Sequence, residues 1–372
     1  MKSTKWIKIF FGLSLFGVLF VGGVNYVVDP YGINNKVIID RINSKKYSNT
    51  SITARFKLNI LNNKEIETIM LGTSRIGVMN PIIVDNYLNT NTFNLEYPSS
   101  ITPVQNKFFK YANNFNDIKY LVYGIDFMSF NENRKINKHF FEFNDFIEKI
   151  ENNEKISNID LYFSIDTFLK SIKIVIKNIL GIQNQEVLYL KNGMRDYQNY
   201  IEQEIKNIFN FEKEKNNSIK SYFSLEGQYK NYKFSYEYLE YFKDTIEFCN
   251  KNNIKVFVYI PPMFSEHFDA INAAGYFDEF ELFKKELVKI TDFIDFTGHN
   301  TISTNKNNYW DSSHLRVETT EIVMAKIFND KSVEVPEDFG VLVTKDNINE
   351  HLKNLRKQIK EYDLSQLGVD LK

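Results

Sequence analysis

Residues Ile9 to Val28 form a mostly apolar run broken only by Ser14, Asn25 and a few glycines. A backbone placed in lipid must satisfy its own polar groups, and a single segment can do that only as a helix. At about 1.5 Å per residue the run crosses a hydrocarbon core of about 30 Å. Lys2, Lys5 and Lys8 precede it with no acidic residue between them. Positive flanks stay cytoplasmic, so everything after Asp29 is expected beyond the membrane. A cleaved signal peptide competes with this reading. No small-x-small cleavage site follows, however, and the run is longer than an ordinary signal core. Residues 1–32 therefore read as an uncleaved signal anchor. Tyr26 and Tyr31 serve as interfacial aromatics, and Asp29-Pro30 breaks the helix on exit.

Beyond a linker and helix at 33–63 (helical over Thr53–Leu61), short apolar runs alternate with amphipathic helices, the pattern of an α/β domain over 64–330. Strands are predicted at Ile66–Leu71, Thr92–Leu95, Tyr120–Ile125, Lys255–Ile260 and Phe293–Phe296. Helices are predicted at Thr102–Asn113, Ser235–Asn252, Phe277–Ile290 and Glu318–Asp330. From about 128 to 233 the rhythm fails. That stretch is rich in Asn, Lys and Glu, with helical apolar spacing (Phe140 to Ile150, Ile165 to Ile179, Tyr200 to Phe211) and almost no strand signal. It reads as a helical insertion or cap above the sheet. The tail 331–372 shows one amphipathic helix, Glu350–Glu361.

The chemistry sits where strands end. Gly72-Thr-Ser-Arg75 follows the first strand, and its serine stands at the C-terminal edge, where open α/β sheets bind ligands. Alone, Ser74 reads equally as a helix N-cap. Far down the chain Asp311-Ser-Ser-His314 precedes the last helix. An i, i+3 pair shares a helical face, so its carboxylate can orient its imidazole. A serine hydroxyl becomes nucleophilic when such a pair accepts its proton. Alone, Asp311 reads as a turn cap and His314 as a surface residue.

Taken together, strand–Gly-x-Ser, α/β alternation and Asp-x-x-His before a final helix resemble the SGNH/GDSL hydrolase superfamily over roughly 64–126 and 235–330. The resemblance implies a three-layer α/β/α sandwich with a mostly parallel sheet. It also implies Ser74 as nucleophile, His314 as general base and Asp311 as its orienting carboxylate, with no metal or organic cofactor. The anchor and insertion are most similar to an extracytoplasmic branch containing the D-alanyl-transfer protein of teichoic-acid operons and the alginate O-acetylation proteins. Those work beside membrane-bound O-acyltransferases. The implied activity is therefore acyl-ester chemistry on a cell-envelope glycan, transfer or hydrolysis, with such an acyltransferase as a possible partner. The alternative is a non-catalytic scaffold that binds the glycan or that partner.

The sequence departs from the family at the oxyanion hole. Glu96 stands where a glycine is expected, and Gly124-Ile-Asp126 replaces Gly-x-Asn. An ionised Asp126 repels an oxyanion, so it is protonated, or holds Arg75 or Arg316, or other donors serve. Asn94 is a candidate donor, or a brace for backbone groups. Arg75 and Arg316 clamp an anionic substrate group or form structural ion pairs. His267, after the Lys255–Ile260 strand, contacts substrate or is a loop histidine. His299 reads as structural, and Asp295 as a strand-end residue shaping the site.

A net charge of −1 with interspersed signs gives no electrostatic reason to expect nucleic acid. The single cysteine, Cys249, excludes an intrachain disulfide and a multi-cysteine metal site, and reads as a small buried filler.

Overall fold

The computed structural model describes residues 2–34, 36–46, 52–62, 65–134, 148–182 and 188–371. Helix α1 (Lys2–Val28) is long and apolar enough to cross a membrane, although a signal sequence passes the same test. Helix α2 (Thr53–Leu61) leads into β1 (Thr68–Leu71), which ends in the single helical turn Ser74–Gly77. Helix α3 (Pro81–Leu88), β2 (Thr92–Asn94), α4 (Thr102–Phe115) and β3 (Tyr120–Gly124) follow. The inserted region carries α5 (Ile165–Ile179), a two-stranded hairpin of β4 (Leu188–Tyr189) and β5 (Arg195–Asp196), α6 (Gln198–Ile205) and α7 (Phe211–Phe223). The α/β rhythm resumes with α8 (Tyr236–Lys251), β6 (Lys255–Ile260), α9 (Ser265–Ala273), α10 (Phe277–Ile290) and β7 (Phe293–Asp295). Helix α11 (Thr320–Phe328), β8 (Val341–Val343) and α12 (Ile348–Glu361) close the chain.

Six strands form one sheet in the order β2-β1-β3-β6-β7-β8, parallel except for β8. Buried side chains alternate along the central strands, as the two-residue period of a strand requires. Ile69, Leu71, Leu121 and Tyr123 face a core shared with α4, α8 and α10, whereas Met70, Val122 and Tyr259 face one shared with α3 and α11. A sheet with both faces buried explains why its strands read as continuous apolar runs.

Strand order reverses at β1. The chain moves from β1 outward to β2, then returns to the other side for β3, β6 and β7. The crevice between the carboxyl ends of β1 and β3 is therefore the switch point, where α/β sheets place ligands. Gly72 makes this crevice possible. It adopts φ +150°, and a Cβ there would stand 2.3 Å from the Gly124 carbonyl oxygen. Gly124 in turn leaves room for Ile76, whose Cδ1 would lie 2.0 Å from an added Cβ.

The strand predictions agree with the sheet to within two residues, and the differences concern other elements, among them the unpredicted helices α3 and α9. The insertion contains the β4–β5 hairpin as well as helices. The tail contributes an antiparallel edge strand, and its helix packs Leu352, Leu355 and Ile359 into the main core. The helix expected over Tyr200–Phe211 is split, with α6 ending at Ile205 and α7 starting at Phe211. The Phe140–Ile150 segment lies mostly outside the described residues. Cys249 is a buried free thiol on α8.

Candidate active site

The turn after β1 aims Ser74 into the switch-point crevice. Thr73 caps it, its hydroxyl accepting from the Arg75 amide at 3.4 Å. The Ser74 hydroxyl lies 3.0 Å from His314 Nε2, and Asp311 Oδ2 lies 2.8 Å from His314 Nδ1. Asp311 Oδ1 accepts the amides of Ser313 (2.7 Å) and His314 (3.0 Å), so both carboxylate oxygens are engaged. Burial alone would raise the Asp311 pKa. The neighbouring His314 and the two amide bonds outweigh it and hold the carboxyl down at about 2. An ionised Asp311 fixes the tautomer with a proton on Nδ1 and a free lone pair on Nε2, facing the serine. Ser74 itself is only 6% exposed.

The remaining sequence candidates have other duties. Asp126 forms a buried ion pair with Arg75 (Nη1–Oδ1 3.1 Å) and accepts the Thr73 hydroxyl at 3.0 Å. Of the alternatives for Asp126, the pair with Arg75 is the one present. Neither residue is left to meet substrate. Asn94 donates to the carbonyls of Ile76 (2.8 Å) and Met79 (3.0 Å), which makes it a brace for the serine turn and corrects its reading as an oxyanion donor. Gly124 is likewise a packing position under Ile76. Arg316 pairs with Glu204 of α6 (Nη1–Oε2 3.0 Å) and lies over the Trp310 ring.

His267 belongs to helix α9 and is fully buried, which corrects the loop assignment. Its Nε2 lies 3.0 Å from Arg75 Nη2. A guanidinium only donates, so Nε2 accepts, and Nδ1 carries the proton it gives to Ser312 Oγ at 2.9 Å. Burial, then the Arg75 charge, pushes this imidazole's pKa well below its ordinary value. His267 is thus a neutral strut between Arg75 and the Asp311–His314 loop. Asp295 binds Lys284, Thr297 and His351, and His299 binds Asp269 at 2.9 Å. Both are held in structural networks.

Three further features escaped the sequence. Glu96 is fully buried, and Lys57 from α2 reaches it (Nζ–Oε1 3.1 Å, Nζ–carbonyl 2.6 Å). Burial brings the Lys57 pKa down to about 8, against the pull of Glu96. The inserted hairpin docks on β2, the Asn94 amide donating to the Asn192 carbonyl at 2.9 Å. This docking delivers Tyr197, whose ring centroid is 6.0 Å from that of His314. It also delivers Arg195, whose side chain crosses the serine turn at Gly77, where an added Cβ would stand 2.5 Å from Arg195 Cδ. Ser74 and Gly77 are i and i+3 and share a face of the turn. Among the described residues no carboxylate lies within ion-pairing distance of the Arg195 guanidinium, and its Nε is buried with no partner. The Asn192-Gly193 pair between Tyr189 and Arg195 is a hairpin signal that would have revealed this element.

No family model matches the chain, and no curated protein matches it either.

Proposed function

We propose that this chain is a membrane-anchored serine esterase or acyltransferase of the SGNH type, a three-layer sandwich acting outside the cytoplasmic membrane on acyl esters of a cell-envelope polysaccharide. The observation that carries the reading is the unbroken Ser74–His314–Asp311 relay at the switch point of the sheet. The glycan and the preference for transfer rest on the family resemblance and the apolar anchor.

Ser74 Oγ attacks the acyl carbonyl while His314 Nε2 takes its proton. The tetrahedral intermediate collapses as His314 returns that proton to the departing alkoxide, leaving the acyl group on Ser74. A glycan hydroxyl, or water, then gives its proton to His314 and attacks the acyl-enzyme, restoring the serine. Asn94 and Asp126 are committed elsewhere. Stabilisation of the oxyanion therefore falls to the Ser74 amide, which opens a helical turn and has no intrahelical acceptor, and to the Arg195 cation that crosses that turn.

The same loss of donors at Asn94 and Asp126 favours a second reading, a scaffold of this fold without turnover. A fluorophosphonate probe separates the two. Covalent labelling of purified protein that disappears in both Ser74→Ala and His314→Ala supports the enzyme. Wild-type protein that takes no label overturns it and leaves the scaffold.

A further inference from the structure

Helix α5 is amphipathic in the wrong sense for a soluble domain. Its buried face consists of Thr167, Ser171, Ile174 and Asn178, at i, i+4, i+7 and i+11. That face is mostly polar and bonded to the protein. Ser171 Oγ donates to Asn25 Oδ1 at 2.9 Å, and Asn178 exchanges bonds with the Lys45 amide and carbonyl, each 2.9 Å. The opposite face is an unbroken apolar stripe of Ile165, Leu169, Ile172, Ile176, Ile179 and Leu180, each between 41% and 64% exposed. Its spacing of i, i+4, i+7, i+11 and i+14 keeps the stripe straight along about 22 Å of helix.

The borders of the stripe say what covers it. One border meets the outer end of α1. Phe168 packs on Phe20 with centroids 6.1 Å apart, and Asn25 of α1 donates to the carbonyls of Tyr162 (2.7 Å) and Ser164 (3.0 Å) just before α5. The other border is a row of Lys170, Lys173 and Lys177 at i, i+3 and i+7, with Lys170 tied to the Tyr31 hydroxyl at 2.7 Å. An exposed apolar stripe continuous with a membrane-spanning helix and bordered by lysines is the layout of a helix lying in the headgroup region with its apolar face in acyl chains.

We propose that α5 is a second membrane element, an interfacial helix whose Ile165–Leu180 stripe is buried in the lipid bilayer beside the anchor. This rests on α1 being a retained anchor. The catalytic domain is then fixed on the membrane surface at two points. The chain following α5 carries Arg195 and Tyr197 to the triad, which suits a site fed by an acyl donor at that surface.

Spin labels test this in the full chain reconstituted in phosphatidylglycerol/phosphatidylethanolamine vesicles. They are attached at Ile172→Cys, Ile176→Cys, Leu15→Cys in α1 and the solvent-facing Leu225→Cys. Cys249 stays in place because it is buried. Expected is a greater accessibility to oxygen than to an aqueous nickel chelate at positions 172 and 176, as at 15, with the order reversed at 225. Nickel accessibility at 172 and 176 equal to that at 225, while 15 remains in lipid, overturns the proposal and points to a protein partner for the stripe. Labels at 172 and 176 that are immobile and reached by neither reagent overturn it in favour of a second copy of the chain. Nickel access at position 15 removes the anchor and the proposal together.

Discussion

The guanidinium of Arg75, the residue beside the candidate nucleophile, and the carboxylate of Asp126 at the end of β3 form a buried ion pair, Nη1 to Oδ1 3.1 Å. This contact ties the serine turn on β1 to the neighbouring strand across the switch point. Asp126→Asn therefore leaves Arg75 as an uncompensated buried cation, and does not supply a free oxyanion donor. Breaking such a pair from one side costs about 3–5 kcal/mol. The midpoint of denaturant unfolding should fall accordingly, and ester turnover should drop with it. The double change Arg75→Met with Asp126→Leu should recover most of the stability. Faster ester hydrolysis by Asp126→Asn would contradict this account.

Lys57 and Glu96 make a second test of the same physics, between α2 and the loop after β2. Lys57→Met strands a buried carboxylate and should destabilise by about 3–5 kcal/mol. Adding Glu96→Leu should return much of that loss. The folded pKa of Lys57 lies below its ordinary value, at about 8. Between that value and about 10.4 the unfolded chain holds more protons at this site, so Lys57's contribution to stability should rise with pH. Comparing urea midpoints of wild type and Lys57→Met between pH 7 and about 10 measures the difference.

The triad predicts its own pH behaviour. Asp311 titrates at about 2 when folded and about 3.9 when unfolded, a depressed value. Its contribution to stability is thus complete above about pH 4 and is lost as the pH falls through 2. Throughout the neutral range it stays ionised. Asp311 should therefore contribute no ionisation to the probe-labelling rate above about pH 4. Asp311→Asn should lower the labelling rate by about 10⁴ through loss of the correct tautomer. An ionisation of Asp311 itself seen above about pH 4, for example by carboxylate infrared bands lost in Asp311→Asn, would refute the assignment.

Among the described residues no carboxylate reaches ion-pairing distance of Arg195, although Glu96 and Asp311 attract its charge. Arg195→Ala should reduce kcat/KM for a model ester by about 10²–10³, the usual cost of losing one oxyanion donor. Unfolding midpoints should fall as well, because the side chain packs on Gly77 and Tyr197 and its charge is attracted by Glu96 and Asp311. Arg195→Lys should recover part of the rate, since charge survives but the fixed fork does not. Equal rates for wild type and Arg195→Ala would remove this residue from the chemistry.

The lysines at the start of α1 predict an outward-facing domain. A C-terminal alkaline phosphatase fusion should be active in cells and a β-galactosidase fusion inactive. The reverse result would place the domain in the cytoplasm.

Sequence alone determined whatever depends on local periodicity. It gave the apolar helix near the N-terminus, the β/α alternation, and the position of Ser74, Asp311 and His314 at element ends, because runs, turns and i, i+3 spacings are properties of neighbouring residues. It located the helix Ile165–Ile179 but not which face turns outward. A 3.6-residue period shows that a helix has two faces and is silent about what each one meets. The partners of the charged residues were beyond it for a related reason. Arg75 finds Asp126 across a sheet register, Lys57 reaches Glu96 from a helix ahead of β1, and Arg195 arrives on a hairpin more than a hundred positions after the serine. The two ion pairs are fixed by strand order and by the desolvation that forbids a lone buried charge, and the approach of Arg195 by the docking of its hairpin; all of these exist only once the chain has closed on itself.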